Sequence, residues 1–209
     1  MPSLEFEAQL RSQEGVSLVA GVDEAGRGPL AGPVVAAAVV LPTDFESKSL
    51  DDSKKLTAKR REILYQEITT SSSISWSCAE ATVEEIESLN ILRATHLAMD
   101  RALQGLPFRP EMALIDGLAI KAFPWAHRGL VKGDSLSLSI AAASIIAKVT
   151  RDRQMVSLAK SFPEYGFERH KGYGTAFHLE ALRKHGPCPH HRRSFQPVAQ
   201  LSLPLEDQG

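Results

Sequence analysis

Two apolar runs lie close together near the start of the chain, Val16 to Asp23 and Val34 to Leu41. Both are rich in valine and nearly unbroken in apolar character, which predicts strands covered on both faces. The first ends in two adjacent carboxylates, Asp23 and Glu24, and glycines around Arg27 then separate the runs by more than a tight hairpin. Further on, Leu56, Ile63, Leu64 and Ile68 follow helical spacing around Thr57, which predicts a capped helix to about Ile68. Ile74, Trp76 and Cys78 alternate with serines, the pattern of a half-buried strand over 74–81. Thr82 with Glu85 three residues later marks a capping box. Asn90 opens another helix through Leu103, stopped by Gly105 and Pro107.

Met112 to Ile115 reads as a short strand ending in Asp116-Gly117, and Trp125 to Val131 as another, followed by Lys132-Gly133-Asp134. The longest helical signal runs from about Ser137 to Lys160, rich in alanine and isoleucine before it turns basic. Phe162-Pro163 ends it. A last helix covers Thr175 to Lys184 and stops at Gly186-Pro187. Nothing repeats, and no linker divides two cores. This order predicts one α/β domain over residues 1–209, with a mixed sheet in a core of about 16–160 and a helical part of about 161–198.

Composition narrows the class. A chain of 209 residues, 43% hydrophobic and 23% charged, can bury a substantial core and is neither disordered nor collagen-like. Its formal net charge of -1 means that a polyanion has to be met by a local patch. Cys78 and Cys188 lie far apart and form no CxxC pair, which points to a reducing compartment without a disulfide framework. Met1 to Glu14 mixes charges with apolar residues, unlike a signal peptide, and no apolar run approaches the roughly 20 residues of a membrane span. The expectation is a cytoplasmic monomer with no membrane partner.

Asp23 and Glu24 end one strand and Asp116 ends another, while Asp134 precedes the long helix. If the two strands are neighbours, the strand-end acids meet at one sheet edge, where α/β folds place ligands. Crowded carboxylates need a compensating cation, and an all-oxygen set suits Mg²⁺ or Mn²⁺. Each signal also has a plainer reading: a surface acid pair, an Asp-Gly turn, or a helix cap at Asp134 or Ser135. Gly26-Arg27-Gly28 offers backbone N–H groups and a guanidinium for a phosphate, or is a turn with an incidental arginine. Ser53, Lys54 and Lys55 offer a hydroxyl and two ammonium groups in what is otherwise a solvated loop. Tyr173, flanked by glycines beside His170 and Lys171, could stack on a nucleic acid or fill a turn. His190, His191 and Cys188 lack the two-plus-two spacing of a zinc site.

Taken together, these blocks resemble the ribonuclease HII family. The matching residues are Gly21 to Pro33, Asp52 to Leu56, Ile115-Asp116-Gly117, Lys132-Gly133-Asp134, Ser139 to Asp152, Gly172 to Thr175 and His191 to Phe195. They run in family order from about Val19 to Val198. Leu118 and Cys188 depart from the family's usual residues.

The resemblance implies a ribonuclease H-like fold, a five-stranded mixed sheet flanked by helices. It implies an endonuclease that cuts the RNA strand of RNA–DNA hybrids and cuts at ribonucleotides embedded in duplex DNA, leaving 5′-phosphate and 3′-hydroxyl ends. Asp23, Glu24, Asp116 and Asp134 look like the catalytic carboxylates. The first three are the expected direct ligands of two Mg²⁺ or Mn²⁺ ions. Asp134 would bind the second ion or orient the water. Gly26, Arg27, Gly28 and Tyr173 look like the reader of the junction between a ribonucleotide and the following DNA. Ser53, Lys54, Lys55 and the basic C-terminal segment would hold phosphates. Two other classes compete: a related metal-dependent nuclease acting on DNA, and a non-catalytic hybrid-binding protein. Scattered apolar residues from Gln196 to Leu205 also allow docking on a replication clamp.

Overall fold

Alternation along the strands decides what each face of the sheet meets, because successive side chains point to opposite sides. The computed structural model describes residues 1–47, 50, 53 and 56–201. Its sheet has five strands in the order β3-β2-β1-β4-β5: β1 (Val19–Ala25), β2 (Val34–Val40), β3 (Ser75–Ala81), β4 (Met112–Asp116) and β5 (His127–Leu130). Strands β1, β2 and β3 pair antiparallel, whereas β4 and β5 continue the sheet in parallel. The expected mixed α/β architecture is therefore present.

The wall of one face is α4 (Ile91–Gln104), preceded by α3 (Val83–Leu89). Against it pack Ala36, Ala38 and Val40 of β2, with Val22 and Ile115. The odd-numbered Ala37 and Val39 meet the other face, formed by α5 (Leu138–Ser161) and α2 (Ala58–Thr70). Small side chains at 36–38 let both layers come close to β2. The closest approach is at β1, where a Cβ on Gly21 would stand 2.1 Å from the Ser139 carbonyl carbon. A side chain there would drive α5 off the sheet.

The caps predicted at Thr57, Thr82 and Asn90 form, and Thr175 caps α7 (Ala176–His185). Helix α5 is capped by Ser137 and not by Asp134 or Ser135, which lie in the turn before it. One helix, α1 (Glu5–Glu14), has no counterpart in the hydrophobic pattern. Its N-cap is Leu4, which makes no side-chain cap, and only Glu7 and Leu10 are buried. What holds it is tertiary: Glu7 Oε1 accepts from the hydroxyls of Ser137 (2.6 Å) and Ser139 (2.5 Å) at the start of α5. Such a helix end attracts a carboxylate. Two short C-terminal helices, α6 (Phe167–His170) and α8 (Val198–Leu201), complete the fold. Among the described residues no helix is long and apolar enough to cross a membrane.

Candidate active site

Val22 pairs with Ile115 across the parallel β1–β4 ladder. Asp23 and Asp116 are the next residue of each strand; Asp23 meets Ser144 of α5, and Asp116 stands at the strand end, where it also borders α4. A third carboxylate arrives from the loop before α5. The backbone N–H of Gly133 donates to Asp116 Oδ1 (2.7 Å), which draws a short 3₁₀ turn, Gly133–Ser135, onto the strand end. Asp134 lies in that turn and is buried. One carboxylate oxygen each from Asp23, Asp116 and Asp134 then lie within 4.8 Å of one another.

This trio differs in one member from the expected ligand set of Asp23, Glu24 and Asp116. The reason is strand alternation, which turns neighbouring side chains to opposite faces. Asp23 faces α5, where it meets Ser144, and Glu24 borders α4, where its Oε1 stands 3.3 Å from Arg27 Nη1. Glu24 remains close enough to act on Asp23. Burial pushes the Asp23 carboxyl well above the usual carboxylate range, and the charges of Glu24 and Asp116 push it further. Bonds from Ser144 and the Glu24 N–H oppose this only in part. Three oxygen donors around an acid that resists ionisation fit a hard divalent cation. Among the described residues, His190, His191 and Cys188 form no such group.

The glycine loop is held from beneath by two buried arginines. Arg192 is 0% exposed. It donates to the carbonyls of Gly26 (2.6 Å), Arg27 (2.9 Å), Gly32 (2.8 Å) and Pro33 (3.2 Å). Arg151 donates to Pro33 (2.9 Å), Ala31 (3.0 Å) and Lys171 (3.0 Å), tying the loop to the Tyr173 segment. Burial pushes Arg192 down to about 9 and Arg151 to about 10, so both stay charged near neutrality. Gly26 sits at φ +98°, and a Cβ there would stand 2.0 Å from Arg151 Nε, so only glycine fits.

The result is a cleft of about 230 Å³ lined by Gly26, Arg27, Gly28, Ser53, Lys148 and Tyr173, with Glu24 at its rim. Tyr173 is 47% exposed and stands over Gly28, where an added Cβ would be 3.7 Å from its ring. From Tyr173 a second groove, of about 720 Å³, runs between α2, α5 and α6 past Arg153, Lys160, Arg169 and Lys171.

Two expectations for phosphate contacts change. The Ser53 hydroxyl is bonded to Ser144 Oγ (2.8 Å) and the residue is buried, although it lines the cleft. Arg192, in the basic C-terminal segment, supports the loop from inside and cannot meet a phosphate. Lys54 and Lys55 lie outside the described residues. The sequence reading assigned no role to Ser144, Lys148, Arg151 or the buried His178 and His191. A visible signal did exist for the first three: they interrupt an apolar helix at spacings of four and three, on one face.

The chain as a whole has relatives among known proteins. The family model described as Ribonuclease HII matches residues 20–198. Ribonuclease HII of Burkholderia pseudomallei is 56% identical over 199 residues, covering 95% of this chain and 90% of the relative. Among solved structures, ribonuclease H2 from Pyrococcus horikoshii OT3 superposes with a TM-score of 0.72 at 27% identity, covering 88% of this chain and 97% of the other. A PCNA:RNase HII complex from Archaeoglobus fulgidus gives 0.71 at 25% identity, covering 86% and 96%. With the family model spanning most of the chain and the expected five-stranded mixed sheet in place, this chain belongs to the ribonuclease HII family and is a ribonuclease H.

Proposed function

We propose that the chain hydrolyses the RNA strand of RNA–DNA hybrids and cuts on the 5′ side of single ribonucleotides in duplex DNA, leaving 5′-phosphate and 3′-hydroxyl ends. The observation that carries this is the meeting of Asp23, Asp116 and Asp134 within 4.8 Å beside the cleft of Gly26, Gly28 and Tyr173. Asp23, Asp116 and Asp134 hold Mg²⁺ or Mn²⁺, and Glu24 at the rim contributes toward a second ion. When bound, such cations supply Lewis-acid stabilisation of charge on the phosphoryl group and a water of lowered pKa.

The chain's own work is positioning. The 2′-OH is the only sugar group that separates RNA from DNA at a given position, so selectivity needs a contact to it. Backbone groups of Gly26 to Gly28, fixed by Arg192 and Arg151, make that contact. Tyr173 stacks beneath the sugar of the following deoxynucleotide. Lys148 and the groove of Lys160, Arg169 and Lys171 receive downstream phosphates, with affinity that falls as salt rises.

The deciding assay compares an all-DNA duplex with the same duplex carrying one ribonucleotide, in Mg²⁺ and then Mn²⁺. Cleavage only of the second, on the 5′ side of the ribonucleotide, is expected. Cleavage of both would favour a DNA nuclease, and binding without cleavage a hybrid-binding protein. Clamp docking by residues 196–205 is supported by the PCNA:RNase HII complex from A. fulgidus and by the exposure of Leu201; 202–205 lie outside the described residues.

A further inference from the structure

On the other side of the aspartates lies a cleft of about 660 Å³ that the proposed reaction leaves unused. Its walls are α4 and the loop that follows β4. It shares Glu24 and Arg27 with the Gly26–Tyr173 cleft, and Asp116 lies on its wall, so the two clefts abut at the carboxylates. Arg93, His96 and Lys121 line it as well. Leu118 is 79% exposed and Leu92 50% exposed, both facing this space. Single exposed leucines need no explanation, but two in one cation-lined cleft beside a catalytic carboxylate mark an interaction surface.

Direction follows from the proposed function, on which this inference rests. With the ribose at Gly26–Gly28 and the next deoxynucleotide over Tyr173, the 3′ side of the strand leaves along Tyr173. The nucleotide that will carry the new 3′-hydroxyl must then leave the aspartates on the opposite side. We infer that the α4 cleft holds the strand upstream of the scissile phosphate, with Arg93 and Lys121 on its phosphates and Leu92 and Leu118 against its sugars and base edges. The two acids of the cleft, Glu24 and Asp116, stand at its catalytic end, where cations are to be bound. The cations beyond them match a polyanion that a chain of net charge -1 cannot attract globally. Apolar contact with sugar and base faces tolerates every sequence, as such an enzyme needs.

The test uses the full chain and two duplexes carrying one ribonucleotide. One has a long upstream arm, and in the other that arm is cut back to a single nucleotide while the complementary strand stays full length. For the first, Arg93→Ala with Lys121→Ala should raise KM about tenfold and make its salt dependence shallower by about two phosphate contacts. Leu118→Glu, at a position too exposed to affect folding, should act in the same direction. On the short-armed duplex wild type and variants should converge, because wild type has lost the same contacts. Equal penalties on both duplexes, or none on either, overturn the proposal. So does a penalty that follows the length of the complementary strand instead. A wild-type chain that cuts neither duplex removes the underlying reading, and this proposal with it.

Discussion

His191 Nε2 stands 3.0 Å from His178 Nε2, and one placement of protons satisfies both rings. The Cys188 N–H donates to His191 Nδ1 (2.9 Å), so His191 carries its proton on Nε2 and donates it to His178. His178 in turn donates from Nδ1 to the carbonyl of Tyr173 (2.9 Å). Two neutral imidazoles thus link the C-terminal segment to the backbone of the proposed reader of the junction. A second proton on either ring would set two donors against each other.

This arrangement has a pH signature. Burial lowers both histidines from their ordinary range to about 4. As pH falls below about 6.5 the unfolded chain takes up protons that the native pair refuses, so stability declines from there toward about pH 4. Thermal unfolding followed between these limits should show a falling Tm. In His178→Gln that fall should be shallower, and an unchanged slope would dissociate the pair from the effect.

Asp23 works against the fold. Its carboxyl is held above its usual range, so ionising it near neutrality costs stability that a bound cation returns. Asp23→Asn should abolish cleavage yet raise the Tm of the metal-free protein, by about 2–4 °C for each kcal/mol relieved. Mg²⁺ should raise the Tm of wild type and leave that of the variant nearly unchanged. Lower Tm in the metal-free variant would argue that Asp23 is a structural acid.

Glu24 and Asp134 separate the two candidate ligand sets. Mn²⁺ binding followed by calorimetry should weaken about tenfold or more in Asp134→Asn, since its oxygen belongs to the buried trio. Glu24→Gln, which alters a residue engaged with Arg27, should bind a first ion nearly as well as wild type while losing cleavage. The reverse ranking would restore the set expected from the strand-end pair.

Removing Arg192 takes the side-chain donor from the carbonyls of Gly26, Arg27 and Gly32, while Pro33 keeps Arg151. Arg192→Ala should cost about 3 kcal/mol, lowering Tm by roughly 6–12 °C. Arg192→Lys should not restore it, because one ammonium cannot reach the positions a planar guanidinium spans. Where the variant still folds, discrimination between ribose and deoxyribose should narrow through a loosened Gly26–Gly28 backbone, read as the ratio of kcat/KM on the two duplexes.

Local patterns determined much of this protein by themselves. Runs of valine and alanine marked β1 and β2, caps at Thr57, Thr82 and Asn90 marked where helices begin, and Asp-Gly after an apolar run placed Asp116 at a strand end. These signals are visible because hydrophobic spacing and capping act between residues a few positions apart. The tertiary structure alone decided which acids meet. Asp23 and Asp116 come together through parallel pairing across some ninety residues of chain, and Asp134 joins them through one N–H from Gly133. The same alternation that makes β1 a good buried strand points Glu24 to the other side of the strand from Asp23, although its charge still acts on the Asp23 carboxyl. Long-range polar bonding likewise decided α1, fixed by Glu7 on two serines, and the fate of Arg192, a basic residue that the fold buries beneath a loop of glycines.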